Sequence, residues 1–451
     1  MKKAALLLVL FFSCEAFSQV SLKLLNDYTI TPNSVDTIGV FARTYYHPSR
    51  NKFYVVYGAR PAGSALPQGQ LTNYAWREYD ASFNFTGTYG SLPGFTSAGD
   101  YAMEMVDSTY YHLCPGGLNY KLSKFDDDFV AQGNVIIPLD SHDSNTDQLM
   151  GYGNGRFIIG AFHEPTQIHP TFPMQSNWSP SCHLFQYNTS LSSLATDQYL
   201  SPTFYSWGGS ATFNSVNNHY EFVSMDSFPT YQLKAYEYDV NMNFLSEHLL
   251  STDGQWSQGL IWDGTYYYLA YHTGGEHRCG NIVVSVWDMN WNQQTSLTIT
   301  NYPVFPPSPG FHTNAQRPYI NKVGNMLYVS YDVETYNYIS PNNIMTHFDW
   351  EAHVAKVQLN NPTGVLNQEL SNGTMDVYPN PVKDNFVLSL GNFENSKSQM
   401  EIYDCHGKLI RREEIVNSQT EISLENNFSG VYLIKVILEN GKVMTRKLIK
   451  E

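Results

Sequence analysis

The chain has 451 residues, of which 15% are aromatic and 15% charged, and its formal net charge is −15. The charge is uneven: residues 19–370 carry 14 Lys+Arg against 29 Asp+Glu, whereas residues 371–451 carry 10 against 11. An acidic, tyrosine-rich body without a basic stripe argues against nucleic acid and anionic membranes as partners, and five cysteines are too few for a disulfide framework.

At the start, Met1-Lys2-Lys3 precedes the apolar run Ala4 to Phe12, and Ala16-Phe17-Ser18 supplies small residues at a cleavage site. This layout predicts a secretory signal over residues 1–18. Cys14 raises lipid attachment as a rival, which the preceding Phe11-Phe12-Ser13 suits poorly. No later segment approaches the ~20 apolar residues of a membrane helix, so a secreted or surface-exposed protein is expected, with no membrane span.

From residue 19 to 360 a repeat dominates. A tight polar turn leads into an aromatic or β-branched strand at Asn51-Lys52-Phe53, Asp107-Ser108-Thr109, Asn154-Gly155-Arg156, Asn217-Asn218-His219, Asp263-Gly264-Thr265 and Gly324-Asn325-Met326. After each of the first five comes a second unit, an aromatic followed by an Asx-type turn and an apolar residue. Its copies are Tyr79 to Phe83, Phe125 to Phe129, Tyr187 to Leu191, Tyr238 to Met242 and Trp287 to Trp291. Asp and Asn recur there because their side chains bond to the backbone two residues on and close a hairpin. Four short strands per copy, with six copies, predict an all-β fold: a six-bladed β-propeller. The sixth copy stops after a third strand, His353 to Leu359, while Val20 to Ile30 reads as an outer strand with nothing before it. Joining the two would close the ring and leave no free edge.

A linker is expected at residues 361–373, rich in Asn, Gly and Pro. About seven alternating strands follow in residues 374–451, a small immunoglobulin-like β-sandwich. Within it stand Tyr378-Pro379-Asn380-Pro381, then Asp404 with Gly407, Gly430 with Tyr432, and the closing Lys447-Leu448-Ile449-Lys450. In order, spacing and end placement these residues resemble the type A C-terminal sorting domain of the type IX secretion system of the Bacteroidota. The resemblance implies that the secretion machinery is a partner and that the domain guides export across the outer membrane. The prolines deny backbone donors and hold the lead-in to the first strand extended.

The body offers no catalytic signature: no Gly-x-Ser-x-Gly elbow and no phosphate-cradling glycine loop. Its long connections join second to third strands or one blade to the next, and both kinds open on one face of a propeller. That face is expected to bind a glycan or protein ligand. Trp178, Tyr205, Trp207 and Trp256, with His312 and Arg317, are the binding candidates, since aromatic faces with polar neighbours suit sugar rings. The alternative is a carbohydrate-active enzyme resembling a glycoside hydrolase, with Asp100, Asp147 and Glu164 as candidate carboxylates. A further alternative is an adhesion or display protein. A six-bladed ring also resembles the sialidases, whose inner strands carry arginines; Arg43 and Arg317 occupy such strands here, but the repeated Asp-box turn is absent. His272, Glu276, His277 and Cys279 could offer zinc its donors, and His142, Asp143, Asn145 and Asp147 resemble part of a calcium loop, neither at an established spacing.

Overall fold

One hairpin turn, repeated five times, sets the pace of the body. Asp80 accepts hydrogen bonds from the amides of Ser82 and Asn84. Asp126, Asn188, Asp239 and Asp288 accept the same pair two and four residues on, all at 2.8–3.0 Å. The residue three positions after each adopts a left-handed φ: Phe83 (67°), Phe129 (59°), Leu191 (61°), Met242 (64°) and Trp291 (60°). Glycine is the usual occupant of that conformation. Here large side chains take it, and all but Leu191 are buried.

The structure, a computed structural model, describes residues 20–30, 36–61, 73–95, 101–116, 118–140, 143–163, 181–195, 198–200, 209–225, 232–273, 280–303, 310–338, 346–360, 375–390, 398–404, 408–425, 427–437 and 443–451. The expected signal segment and linker lie outside these residues. After β1 (Ser21–Ile30), the first blade comprises β2 (Asp36–His47), β3 (Lys52–Pro61), β4 (Asn73–Tyr79) and β5 (Phe85–Ser91). The second comprises β6 (Ala102–Val106), β7 (Thr109–Gly116), β8 (Asn119–Phe125) and β9 (Ala131–Ile137). The third holds β10 (Asp143–Gly153), β11 (Arg156–His163), β12 (Ser181–Asn188) and the short β13 (Gln198–Tyr199). The fourth holds β14 (Ser210–Asn214), β15 (His219–Met225), β16 (Leu233–Asp239) and β17 (Phe244–Ser251). In the fifth are β18 (Gly254–Trp262), β19 (Tyr267–Thr273), β20 (Ile282–Trp287) and β21 (Gln293–Thr298). The sixth contains β22 (Gly310–Val323), β23 (Met326–Tyr338) and β24 (Thr346–Asn360), and β1 completes it.

Each sheet pairs in antiparallel chain order, so the molecule is a six-bladed β-propeller. The ring closes as the sequence predicts: β1 runs antiparallel along β24, with Ser21 opposite Asn360 and Ile30 opposite Ala352. The innermost strands β2, β6, β10, β14, β18 and β22 surround the axis. Apolar clusters fill the wedges between neighbouring blades, for instance Ala42, Phe53 and Tyr57 of the first against Tyr328 and Val354 of the sixth. At this closing seam both oxygens of the buried Asp332 accept the Phe41 amide, at 2.8 and 3.0 Å. Glycines let inner strands approach across another wedge. A Cβ at Gly151 or Gly153 of β10 would strike Ala211 or Phe213 of β14.

Four inner strands break register at a similar height: β2 between Val40 and Arg43, β10 between Ser144 and Leu149, β18 between Gln255 and Gly259, and β22 between Gln316 and Tyr319. Such bulges re-aim side chains. They also correct the expected loop boundaries. Asp143, Asn145 and Asp147 belong to strand β10, not to a loop, with Asn145 and Asp147 inside its register break. Likewise Gly310 to Arg317 extends β22, and β23 runs on to Tyr338, because antiparallel pairing between them satisfies the backbone of both.

The last region forms a two-sheet sandwich. One sheet contains β25 (Met375–Tyr378), β26 (Asn385–Leu390) and β29 (Gln419–Ser423). The other contains β27 (Ser398–Asp404), β28 (Leu409–Ile415), β30 (Gly430–Ile437) and β31 (Val443–Lys450). Met400, Ile402, Ile434 and Val436 of one sheet pack on Phe386, Leu388 and Ile422 of the other.

Candidate functional site

On the axial side of the first, second and sixth blades the apolar lining gives way to a polar and aromatic cluster. Arg43 of β2 is buried, donates to the Tyr101 carbonyl at 2.9 Å, and lies 5.3 and 5.2 Å from the ring centres of Tyr101 and Tyr319. The Tyr45 and Tyr319 hydroxyls both donate to the Met103 carbonyl, at 3.0 and 3.3 Å. Behind Tyr101, the fully buried His112 stacks on its ring at 4.7 Å. Burial, with Lys121 and Arg43 nearby, pulls His112 down to about 3 and keeps it neutral.

Glu104 of β6 faces the axis. It lines two stacked cavities of about 10 and 110 Å³ and, with Met150 and Tyr319, forms the waist they share. Burial pushes its carboxyl up to about 8, so it is mostly protonated at neutral pH. Glu104 raises the Tyr45 and Tyr319 hydroxyls in turn, adding to the effect of burial. A protonated carboxylic acid between phenols can donate a proton or, once ionised, accept one. Among the described residues lining these cavities it is the only carboxylate.

The sequence candidates distribute unevenly around this cluster. Arg317 sits in the β22 bulge with φ 53°, its guanidinium 4.9 Å from the Phe41 ring and 5.4 Å from that of Trp350. Trp256 and Asp147 fall in the corresponding bulges of β18 and β10, so three candidates chosen separately occupy equivalent places on the ring. His312 lies near the start of β22, partly exposed. His272 is buried in β19 and held at about 3 by burial and then by Arg317, a neutral imidazole. Asp100, His142, Glu164, Trp178, Tyr205, Trp207, Glu276, His277 and Cys279 lie outside the described residues. Cys114 and Cys182 are buried. Glu104 was missed because an isolated Glu in Ala-Met-Glu-Met-Val resembles any strand residue; only ring closure turns it toward the axis. A separate group, Asp140, Asp143 and His183, brings one donor atom each within 4.8 Å of the others, with Asp143 2.6 Å from the His183 ring nitrogen. Its donors are of types that zinc or calcium accepts.

In the sandwich, several of the predicted motif residues make specific hydrogen bonds. The Asn380 side chain donates to the Lys447 carbonyl and accepts the Ile449 amide, both at 2.9 Å. The Tyr432 hydroxyl donates to the Phe428 carbonyl at 2.6 Å, the Asp404 side chain accepts the Lys408 amide at 3.0 Å, and Gly430 adopts φ 155°. A family model described as "Secretion system C-terminal sorting domain" matches residues 376–451. This region is a sorting domain. The protein is therefore a type IX secretion cargo, exported to the cell surface or released, and the secretion machinery is its partner. No helix among the described residues is long and apolar enough to cross a membrane. Gly407 of the sorting motif lies outside the described residues.

Other likenesses are looser. A stretch of 131 residues is 31% identical to the ulvan lyase NLR42 of Nonlabens ulvanivorans, covering 29% of this chain and 24% of that protein. The chain thus matches about a quarter of that relative's length. The matched stretch is longer than residues 376–451, so part of it precedes the sorting domain. Among solved structures, a subtype N11 neuraminidase-like protein from a flat-faced bat virus (H18N11) aligns with TM-score 0.40 and 8% identity, over 76% of this chain and 96% of that one. The GH43 protein BlXynB of Bacillus licheniformis aligns with TM-score 0.37 and 11% identity, over 78% and 82%. These likenesses are too loose to bear on activity.

Proposed function

We propose that the exported propeller is carbohydrate-active, engaging a polysaccharide chain across its loop-rich face above the axial cluster, with Glu104 as the proton-transfer group. The observation that carries this reading is a carboxyl that lines a cavity with Arg43, Tyr101 and Tyr319 and is raised by burial to about 8. A strongly shifted acid lining a cleft is a candidate functional group. Glycoside hydrolysis in most families uses a pair of carboxyl groups flanking the bond. Among the described residues the cavity offers one carboxyl with a phenol and a guanidinium, a set that suits elimination: a base removes the proton beside a uronate carboxylate, a cation steadies the charge that develops, the neighbouring C–O bond breaks, and the protonated Glu104 gives its proton to the departing oxygen. The partial match to an ulvan lyase supports the same class.

A second reading, a glycan-binding propeller without turnover, is favoured by the channel's size. Cavities of about 10 and 110 Å³ fall well below the ~300–1,000 Å³ of small-molecule sites, so a sugar would rest above them on the loops. Incubating the purified chain with ulvan, other uronate polysaccharides and chromogenic glycosides separates the two. Elimination produces a new ultraviolet-absorbing double bond, and Glu104→Gln lowers its rate roughly 10²–10⁴-fold. Glycan-array binding without product from any substrate would favour the second reading. An undiminished rate in Glu104→Gln would remove Glu104 from the mechanism.

A further inference from the structure

The last strand of the sorting domain has two edges, and only one is covered by a strand. β30 pairs along one side of β31. Along the other, the outward backbone groups of Lys447, Ile449 and Glu451 face the segment between β25 and β26. Val382 takes two of them: its amide donates to the Ile449 carbonyl at 2.8 Å, and its carbonyl accepts the Glu451 amide at 2.9 Å. Continuing that parallel ladder toward Lys447 would use the backbone N–H and C=O of residue 380, two positions before Val382. The Asn380 side-chain amide stands in, donating to Lys447 and accepting from Ile449. A primary amide carries both a donor and an acceptor, as a peptide does, which explains why this position suits asparagine.

This arrangement joins two stretches 67 residues apart into one patch. Tyr378, Pro379, Asn380 and Pro381 are exposed on one side, Lys447 and Ile449 on the other, while Val382 and Leu448 anchor both in the core. We propose that the secretion machinery reads this lead-in turn and the last strand as a single surface, assembled by Asn380. Asn380 is a positioning residue in this scheme. It holds the edge in register, and the exposed tyrosine, prolines, Lys447 and Ile449 meet the partner.

Export of the full-length chain, expressed in a host with the type IX system, tests the idea. The exported and periplasmic fractions are compared for Asn380→Ala, Asn380→Asp and Ile422→Val, a core change away from the clasp. Thermal unfolding of each purified chain provides the structural control. Loss of both hydrogen bonds in Asn380→Ala lowers the exported fraction roughly tenfold or more. Asn380→Asp keeps the acceptor for Ile449 but loses the donor to Lys447, so its export falls between those of Ala and wild type. Ile422→Val is exported normally even where it lowers the unfolding temperature as much. Should Asn380→Ala fail to fold, Asn380→Asp against Ile422→Val carries the comparison. Normal export of both Asn380 variants overturns the proposal, as does retention of Ile422→Val that simply tracks its lost stability.

Discussion

Glu104 and His112 stand a few residues apart on neighbouring strands of the second blade, and burial drives both to their neutral forms. The same holds for Glu221, pushed up to about 8 by burial and then by Glu237, and for His272 at about 3. Their consequences for stability have opposite signs. The two carboxyls stay protonated in the fold while the unfolded chain ionises above 4.5; their contribution is full below pH 4.5 and is lost as pH rises to 8. The two imidazoles stay neutral while the unfolded chain protonates below 6.5; their contribution is full above pH 6.5 and is lost as pH falls to 3. Between pH 6.5 and 8 only the carboxyls act among these four, each removing on the order of 1–2 kcal/mol, with Glu104 at the lower end because it is partly exposed. His353, raised against the pull of burial by Asp27 and Glu351, adds a decline of the same sign. Unfolding temperature should therefore fall from pH 6.5 to 8, and less steeply in Glu104→Gln, Glu221→Gln and most of all the double variant. An equally steep fall in the double variant would contradict these assignments.

The five Asx hairpins show how an element can accept local strain. A non-glycine residue at positive φ costs on the order of 1 kcal/mol, and the Asp or Asn side chain compensates by capping two amides. The large residue in that position then packs between blades: Phe129 stacks on Tyr110 at 4.6 Å and on Trp76 at 5.0 Å. Leu191 occupies the equivalent turn but remains partly exposed. Phe129→Gly relieves strain but forfeits a buried ring, a net loss of about 2–4 kcal/mol. Leu191→Gly relieves the same strain and forfeits a smaller, less buried side chain, so its loss should be smaller than that of Phe129→Gly. Chemical denaturation of both variants gives the comparison; equal losses would mean that the turn, not the packing, determines the residue. These turns were legible from sequence because Asp and Asn with a following apolar residue recur at a fixed offset. The bulges of the inner strands were not. Asp147 stood in an expected loop, Trp256 at a strand entrance and Arg317 at an inner strand, and nothing local reveals that each strand continues through that position with a register break.

For the whole molecule, closure by β1 is the feature on which the ring depends. Deleting Val20 to Ile30 would strip β24 of its outer partner and expose a long strand edge. The truncated chain should aggregate or lose cooperative unfolding, read by size exclusion and thermal scanning; a monomer with the wild-type transition would show that the seam holds without β1. Sequence alone determined the repeat, the ring closure and the sorting domain, because turn chemistry, strand alternation and spaced motif residues are properties of neighbouring positions. The cluster of Arg43, Tyr45, Tyr101, Glu104 and Tyr319 was decided only by the tertiary structure. Its members come from three blades, and no periodicity along the chain encodes which side chains meet at an axis that exists only once the ring has closed. The Asn380 clasp belongs to the same class, since its partners lie at the far end of the domain.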